Sequence, residues 1–188
     1  MVNPTPLTAP ADIDIRDAKI ADMATVAMIY AHYVETSAAT FETVPPTALE
    51  MEQRFSALVD KDMPFLVATR DDQVVGYAYV GPYRTRWGYR YTVEDSVYVS
   101  KDHLGRGIGR VLLGALIEQA TTRGFRQMIS VIGDSANAAS IALHSQLGFK
   151  VIGALPSTGR KFDKWIDSVL MQRPLGDGSS TPPDKSTT

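Results

Sequence analysis

The stretch VYVSKDHLGRGIGRVLL, residues 97–113, constrains this chain more than any other. β-Branched and aromatic residues run into Gly105, Gly107 and Gly109, and an amphipathic series follows with Ile108, Val111, Leu112, Ala115 and Leu116 on its apolar face. A strand that passes through glycines into a helix N-terminus aims successive backbone amides, and the positive end of the helix dipole, at one point. Such a turn suits a phosphate group; on spacing alone it is equally a tight strand-to-helix connection. No Gly-Lys-Ser/Thr ending follows, which argues against a nucleoside triphosphate and magnesium site. The pattern is GxGxG in mid-chain, without the acid about twenty residues on that a dinucleotide fold requires.

The rest of the chain gives this turn a setting. At 188 residues, 44% hydrophobic and 21% charged, it fits one globular domain of α/β or α+β class with a real core, and no internal repeat or linker divides it. Residues 1–11, with three prolines, read as a flexible lead-in, residues 12–175 as the domain, and residues 176–188 as a disordered tail without a large apolar residue. A net charge of −2 argues against nucleic acid or an acidic membrane surface as partner. No leader pattern and no long apolar span is present, which points to a cytoplasmic protein. Zero cysteines exclude disulfides, thiolate metal sites and an acyl-cysteine intermediate.

Periodicity predicts a strand over 12–16, with Asp17 capping an amphipathic helix whose apolar face runs Ile20, Met23, Val26 or Ala27, Tyr30 and Tyr33. A loop over 37–47 carries Phe41, and a second helix spans 47–61. Strands are expected over 65–69 and 73–80 around an Asp71-Asp72 turn, then over 91–100. The helix after the glycine turn should stop near Gly124, followed by a buried strand over 128–132. Asp134 or Ser135 should cap a helix through Leu147, with strands over 149–155 and 161–171 behind it. The methionines, Met23, Met28 and Met51 among them, read as core filler. His32, His103 and His144 lack metal-ligand spacing, so no metal is implied.

The LGRGIG turn after its strand, together with the later NAASIALHSQLGF, resembles the acetyl-CoA signature of the GNAT acetyltransferases. YVETSAATFETVPPT, GPYRTRWGYRYTVEDSVYV, SVIGDSANAASIALHSQLGF and KFDKWIDSVLMQR resemble, more narrowly, the phosphinothricin acetyltransferase family, which includes acetyltransferases of methionine sulfoximine and methionine sulfone. The resemblance runs from about Ile13 to Pro174. It implies the GNAT fold, a mixed, mostly antiparallel twisted sheet of about seven strands flanked by about four helices. It also implies acetyl-CoA as co-substrate, a small amino acid-like amine as acceptor, and a homodimer.

Roles follow by the same resemblance. The main chain of Val97, Tyr98 and Val99 would pair with pantetheine, and the amides of Gly105, Arg106, Gly107, Ile108, Gly109 and Arg110 would hold the pyrophosphate. Leu104 stands where many members have Gln or Arg, which removes a side-chain donor and leaves the backbone amides. Asn137 matches a contact to the cofactor arm; a helix-start Asn satisfying local amides explains it equally well. Glu94 matches the family's proposed general base, the group that takes a proton from the incoming ammonium. Asp95 is the competing acid, and strand alternation puts Val93, Asp95 and Val97 on one face, Glu94, Ser96 and Tyr98 on the other. His144 would protonate the departing thiolate or bind the substrate's anionic group, against the alternative of a structural histidine. Between Tyr83 and Tyr91, arginines interleave with aromatics; Arg86 and Tyr89 match substrate positions, as does Phe41 in the early loop, whose other reading is a packing anchor. The expected reaction is direct acetyl transfer in a ternary complex, with a backbone amide near Val97 to Val99 stabilising the oxyanion. Its alternatives are another amine (a polyamine, an antibiotic, a protein N-terminus) and a non-catalytic acetyl-CoA sensor.

Overall fold

Two aspartates in succession close the first hairpin. Asp71 and Asp72 take φ of 49° and 61°, the left-handed pair whose twist matches that of the strands it joins. They connect β2 (Phe65–Arg70) to β3 (Gln73–Pro82). Phe162 and Asp163, at φ 50° and 58°, do the same between β6 (Lys150–Lys161) and β7 (Lys164–Pro174). The computed structural model describes residue 10 and residues 12–183. It joins these hairpins with β1 (Asp14–Asp17), β4 (Thr92–Val99) and β5 (Gln127–Gly133) into one seven-stranded sheet of order β1-β2-β3-β4-β5-β7-β6. The β4–β5 pair is parallel and the other five are antiparallel.

Helices cover both faces. α1 (Met23–Thr36) and α2 (Ala48–Val59) lie on one, where Met23, Val26, Tyr30, Met51 and Phe55 pack with Phe65, Val67 and Tyr77. α3 (Ile108–Thr122) and α4 (Ala138–Gln146) belong to the other core, built on Leu112, Leu113 and Leu116 with Leu66, Ala68, Val93 and Met171. β2 shows why its sequence is apolar without interruption: Phe65 and Val67 face the first core, Leu66 and Ala68 the second. α2 opens with a capping box, Thr47 accepting from the Glu50 amide while the Glu50 carboxylate accepts from the Thr47 amide. α3 gives way to Gly124 at φ 84°.

Several expectations need correction. Asp17 ends β1 and accepts a hydrogen bond from Gln119. The chain turns into α1 through a short 3-10 segment, where Asp22 accepts from the Lys19 amide and from both terminal nitrogens of Arg16. Ile20 lies in that segment, 49% exposed, and Met28 is 66% exposed on the outer face of α1, so neither fills the core. The α4 cap is Asn137, whose side chain accepts from the Ser140 amide; Asp134 instead accepts from the Ala136 amide. β7 starts at Lys164 because the 162–163 turn intervenes. In the tail, residues 176–181 lie in turns and bends, with Arg126 donating to the Thr181 carbonyl and Asp177 nearby. Residues 184–188, and the lead-in apart from Pro10, lie outside the described residues.

Candidate active site

A defect in sheet pairing makes the site. β4 and β5 pair only over Thr92–Glu94 with Gln127–Ile129. β4 stays bonded to β3 as far as Val99, and β5 to β7 as far as Gly133. Past Glu94 and Ile129 the two strands therefore part, and the sheet opens into a cavity of ≈ 870 Å³, within the usual range for a small-molecule site. A strand edge without a strand partner can pair with an extended ligand as an added strand. On β4 this edge includes Val97, Tyr98 and Val99, all lining the cavity.

The glycine turn borders the cavity. Gly105 and Gly107 take φ of 73° and 79°, and a side chain at either would meet nothing within 4 Å. Backbone conformation, and not crowding, is therefore what demands glycine there. Gly107 is the N-cap of α3, so the helix presents its first amides beside the turn. Gly105, Gly107, Ile108, Gly109 and Arg110 line the cavity, as do Leu104 and Asn137. Arg106 is exposed and outside the lining. Asn137 spends its side-chain oxygen on the α4 cap.

The two neighbouring acids face opposite ways, as strand alternation predicts. Val93 and Val97 pack into the α3 core and Tyr98 into the α1 core. Glu94 is half-buried and lines the cavity. Burial raises its pKa, and the nearby Asp95 charge raises it further against Arg84. Asp95 is 6% exposed, and its Oδ2 lies 2.9 Å from His144 Nε2.

His144 is 2% exposed, and both its ring nitrogens have protein partners. Nε2 lies 2.9 Å from both Asp95 Oδ2 and the Ser130 hydroxyl, while Nδ1 donates to the Ser140 carbonyl at 2.7 Å. Burial pushes the imidazole pKa down, but the Asp95 bond and charge and the Ser140 carbonyl outweigh it, and the net shift is upward. His144 touches the cavity wall and is held by the buried Asp95 carboxylate, an ion pair whenever the imidazole is protonated. Both nitrogens are hydrogen-bonded within the protein, while the ring still lines the cavity.

Phe41 lines the cavity, 36% exposed. Arg86 and Tyr89 do not; they belong to an exposed 3-10 turn between β3 and β4, Trp87–Tyr89, with Arg86 as its N-cap. There Tyr89 meets Tyr83 edge-on at 5.8 Å, and Arg90 lies over Trp87 and Tyr91. The α1 tyrosines form a wall that sequence reasoning assigned to core alone. Tyr33 donates to the Val99 carbonyl at 2.6 Å, and Tyr30 shares a 2.6 Å hydrogen bond with Thr40. Burial raises the Tyr30 pKa to about 12. Both line the cavity beside Tyr98. Among the described residues no cluster of His, Asp or Glu is placed to hold a metal ion, and no helix is long and apolar enough to cross a membrane.

Comparison with known proteins agrees with this architecture. The family model described as "Acetyltransferase (GNAT) domain" matches residues 15–170. A phosphinothricin N-acetyltransferase of Alcaligenes faecalis is 47% identical over 170 residues, covering 90% of this chain and 86% of its own. An L-methionine sulfoximine/L-methionine sulfone acetyltransferase of Pseudomonas paraeruginosa is 41% identical over 169 residues, 89% of this chain and 98% of its own. The crystal structure of a GNAT superfamily phosphinothricin acetyltransferase from Sinorhizobium meliloti in complex with AcCoA superposes with a TM-score of 0.90 at 43% identity, covering 93% of this chain and 95% of that one. With the family model matching residues 15–170 and these relatives 41–47% identical over nearly its whole length, the chain belongs to the GNAT acetyltransferases.

Proposed function

We propose that this protein N-acetylates the α-amino group of a small amino acid-like substrate of the phosphinothricin, methionine sulfoximine or methionine sulfone type, using acetyl-CoA. The observation that carries the proposal is one cavity lined both by the amide-rich glycine turn and by Glu94, which has no hydrogen-bond or ion-pair partner among the described residues. The residues present fit acetyl-CoA: left-handed glycines and the α3 amides suit a pyrophosphate, and the open β4 edge suits the amides of a pantetheine arm. When bound, acetyl-CoA supplies an activated acetyl thioester.

Glu94 takes the proton of the incoming ammonium, directly or through one water, so that the amine lone pair can attack. A main-chain amide in Val97–Val99 steadies the negative charge that develops on the carbonyl oxygen. Absence of cysteine favours direct transfer with both substrates bound. Phe41 walls the amine end, and the Asp95–His144 pair holds the β4 and α4 sides together behind the reacting groups. A homodimer belongs to this reading and is checked by sedimentation.

The test is release of free CoA from acetyl-CoA with phosphinothricin, methionine sulfoximine, methionine sulfone, methionine and a polyamine. Turnover confined to the first three, lost in Glu94→Gln, is the expected result. Turnover on the polyamine alone would overturn the acceptor assignment. Binding of acetyl-CoA without turnover on any amine would make the protein a sensor.

A further inference from the structure

Lys161 is an unusual residue to bury. It ends β6 and is 4% exposed, yet no carboxylate pairs with it. Its ammonium donates to two main-chain carbonyls, Ser37 and Thr40, each at 2.8 Å, and lies 5.1 Å from the centre of the Phe162 ring. Glu42, the acid whose charge acts on it, is engaged with both terminal nitrogens of Arg54 and with the Tyr30 hydroxyl. Burying an ammonium is costly, and an apolar side chain of like length would fill the space without that cost. What the ammonium adds is a fixed position for the loop between α1 and α2.

That loop carries Thr40 and Phe41 into the cavity wall, and two glycines receive it from below. A side chain at Gly133, the last residue of β5, would lie 2.1 Å from the Ala38 carbonyl oxygen. A side chain at Gly159 on β6 would lie 2.2 Å from the Phe41 ring. The loop is thus pressed onto the sheet at Gly133 and Gly159 and tied down by Lys161 between its Ser37 and Thr40 carbonyls.

We infer that Lys161 is a positioning residue for acceptor specificity: by clamping residues 37–40 it sets where the Phe41 ring stands, and so how wide an amine substrate the cavity admits. This rests on the proposal that Phe41 walls the amine end. Lys161 touches no reacting group; it acts through the loop.

The experiment combines steady-state kinetics with amide hydrogen exchange on the full chain. Lys161→Met should speed exchange at residues 38–42 and raise the KM of the amine about tenfold, with the acetyl-CoA KM within about twofold of wild type. Gly159→Ala leaves the Lys161 bonds in place and displaces the ring from beneath, so it should raise the amine KM without faster exchange; it keeps the inference testable where Lys161→Met fails to fold. Unchanged exchange in Lys161→Met overturns the clamp. Faster exchange with an unchanged amine KM, or a rise in both KM values together, overturns the specificity role and leaves a structural lysine. A wild-type protein inactive on every amine would sink the proposed reaction, while the exchange result would still judge the clamp.

Discussion

Removing either member of the Asp95–His144 pair should cost more than removing both. The two side chains are 1% and 2% exposed and meet at 2.9 Å. His144→Leu leaves a buried carboxylate without its hydrogen-bonded partner, a loss of about 3–5 kcal/mol. In a chain of this length each kcal/mol moves Tm by about 2–4 °C, so Tm should fall by about 6–20 °C. Asp95→Leu combined with His144→Leu removes both charges, and the double variant should be the more stable of the two, as apolar replacement of a buried pair is often neutral. Urea unfolding at several pH values adds a second check. The His144 pKa is raised in the fold, so its contribution is full below the unfolded value of about 6.5 and is lost as pH rises through the folded value. Wild-type stability should therefore decline as pH rises above the unfolded value and through the raised folded one. In Asp95→Asn the opposing charge is gone, burial acts nearly alone, and that decline should vanish. A His144→Leu protein within about 1 kcal/mol of wild type, or a double variant no better than the single, would refute the buried ion pair.

Glu94→Gln should lower kcat by about 10²–10⁴-fold with acetyl-CoA binding, measured by calorimetry, unchanged. Because burial and Asp95 raise the Glu94 pKa, the acid limb of the kcat/KM profile should lie above the ordinary glutamate value, activity falling as pH drops through it. Gly107→Ala forces a side chain into a φ of 79° at about 1–2 kcal/mol, and should weaken acetyl-CoA about 5–30-fold or lower the unfolding midpoint correspondingly. Tyr33→Phe removes the 2.6 Å bond to the Val99 carbonyl and should cost about 0.5–1.5 kcal/mol in urea unfolding.

Strand and helix identities were legible because they rest on local pattern. Paired aspartates imply a left-handed turn, and the parity of Phe65, Leu66, Val67 and Ala68 places them alternately in two cores. Caps were less legible, since Asp17, Asp134 and Asn137 are all chemically able to cap and only chain direction decides which does. Long-range partnerships left no trace. His144 and Asp95 are joined across 49 positions, and Lys161 reaches Thr40 across 121. Nothing in a local window distinguishes a histidine with both nitrogens occupied from one with a nitrogen free. Arg86 and Tyr89 illustrate a related point: an arginine among aromatics has pocket chemistry, and local sequence does not say that it stands on an exposed turn outside the cavity lining of one chain.

The pairing defect between β4 and β5 decides which acid can serve the reaction. Both carboxylates border the cavity, so proximity alone does not choose. Asp95 is committed: His144 holds one oxygen, and withdrawing that carboxylate to accept a proton would leave an imidazolium unpaired in the core. Glu94 has the converse position, facing away from that pair, with no hydrogen-bonded cation among the described residues; burial and the Asp95 charge favour its protonated form and outweigh the opposing Arg84 charge. A carboxylate made more basic in this way is better matched to an ammonium proton than one held by a cation. The same Asp95 charge that anchors α4 through His144 thus raises the proton affinity of its neighbour on the opposite face. Asp95→Asn should accordingly shift the acid limb of the kcat/KM profile downward while leaving Glu94 in place, and an unshifted limb would show that the two carboxylates do not communicate.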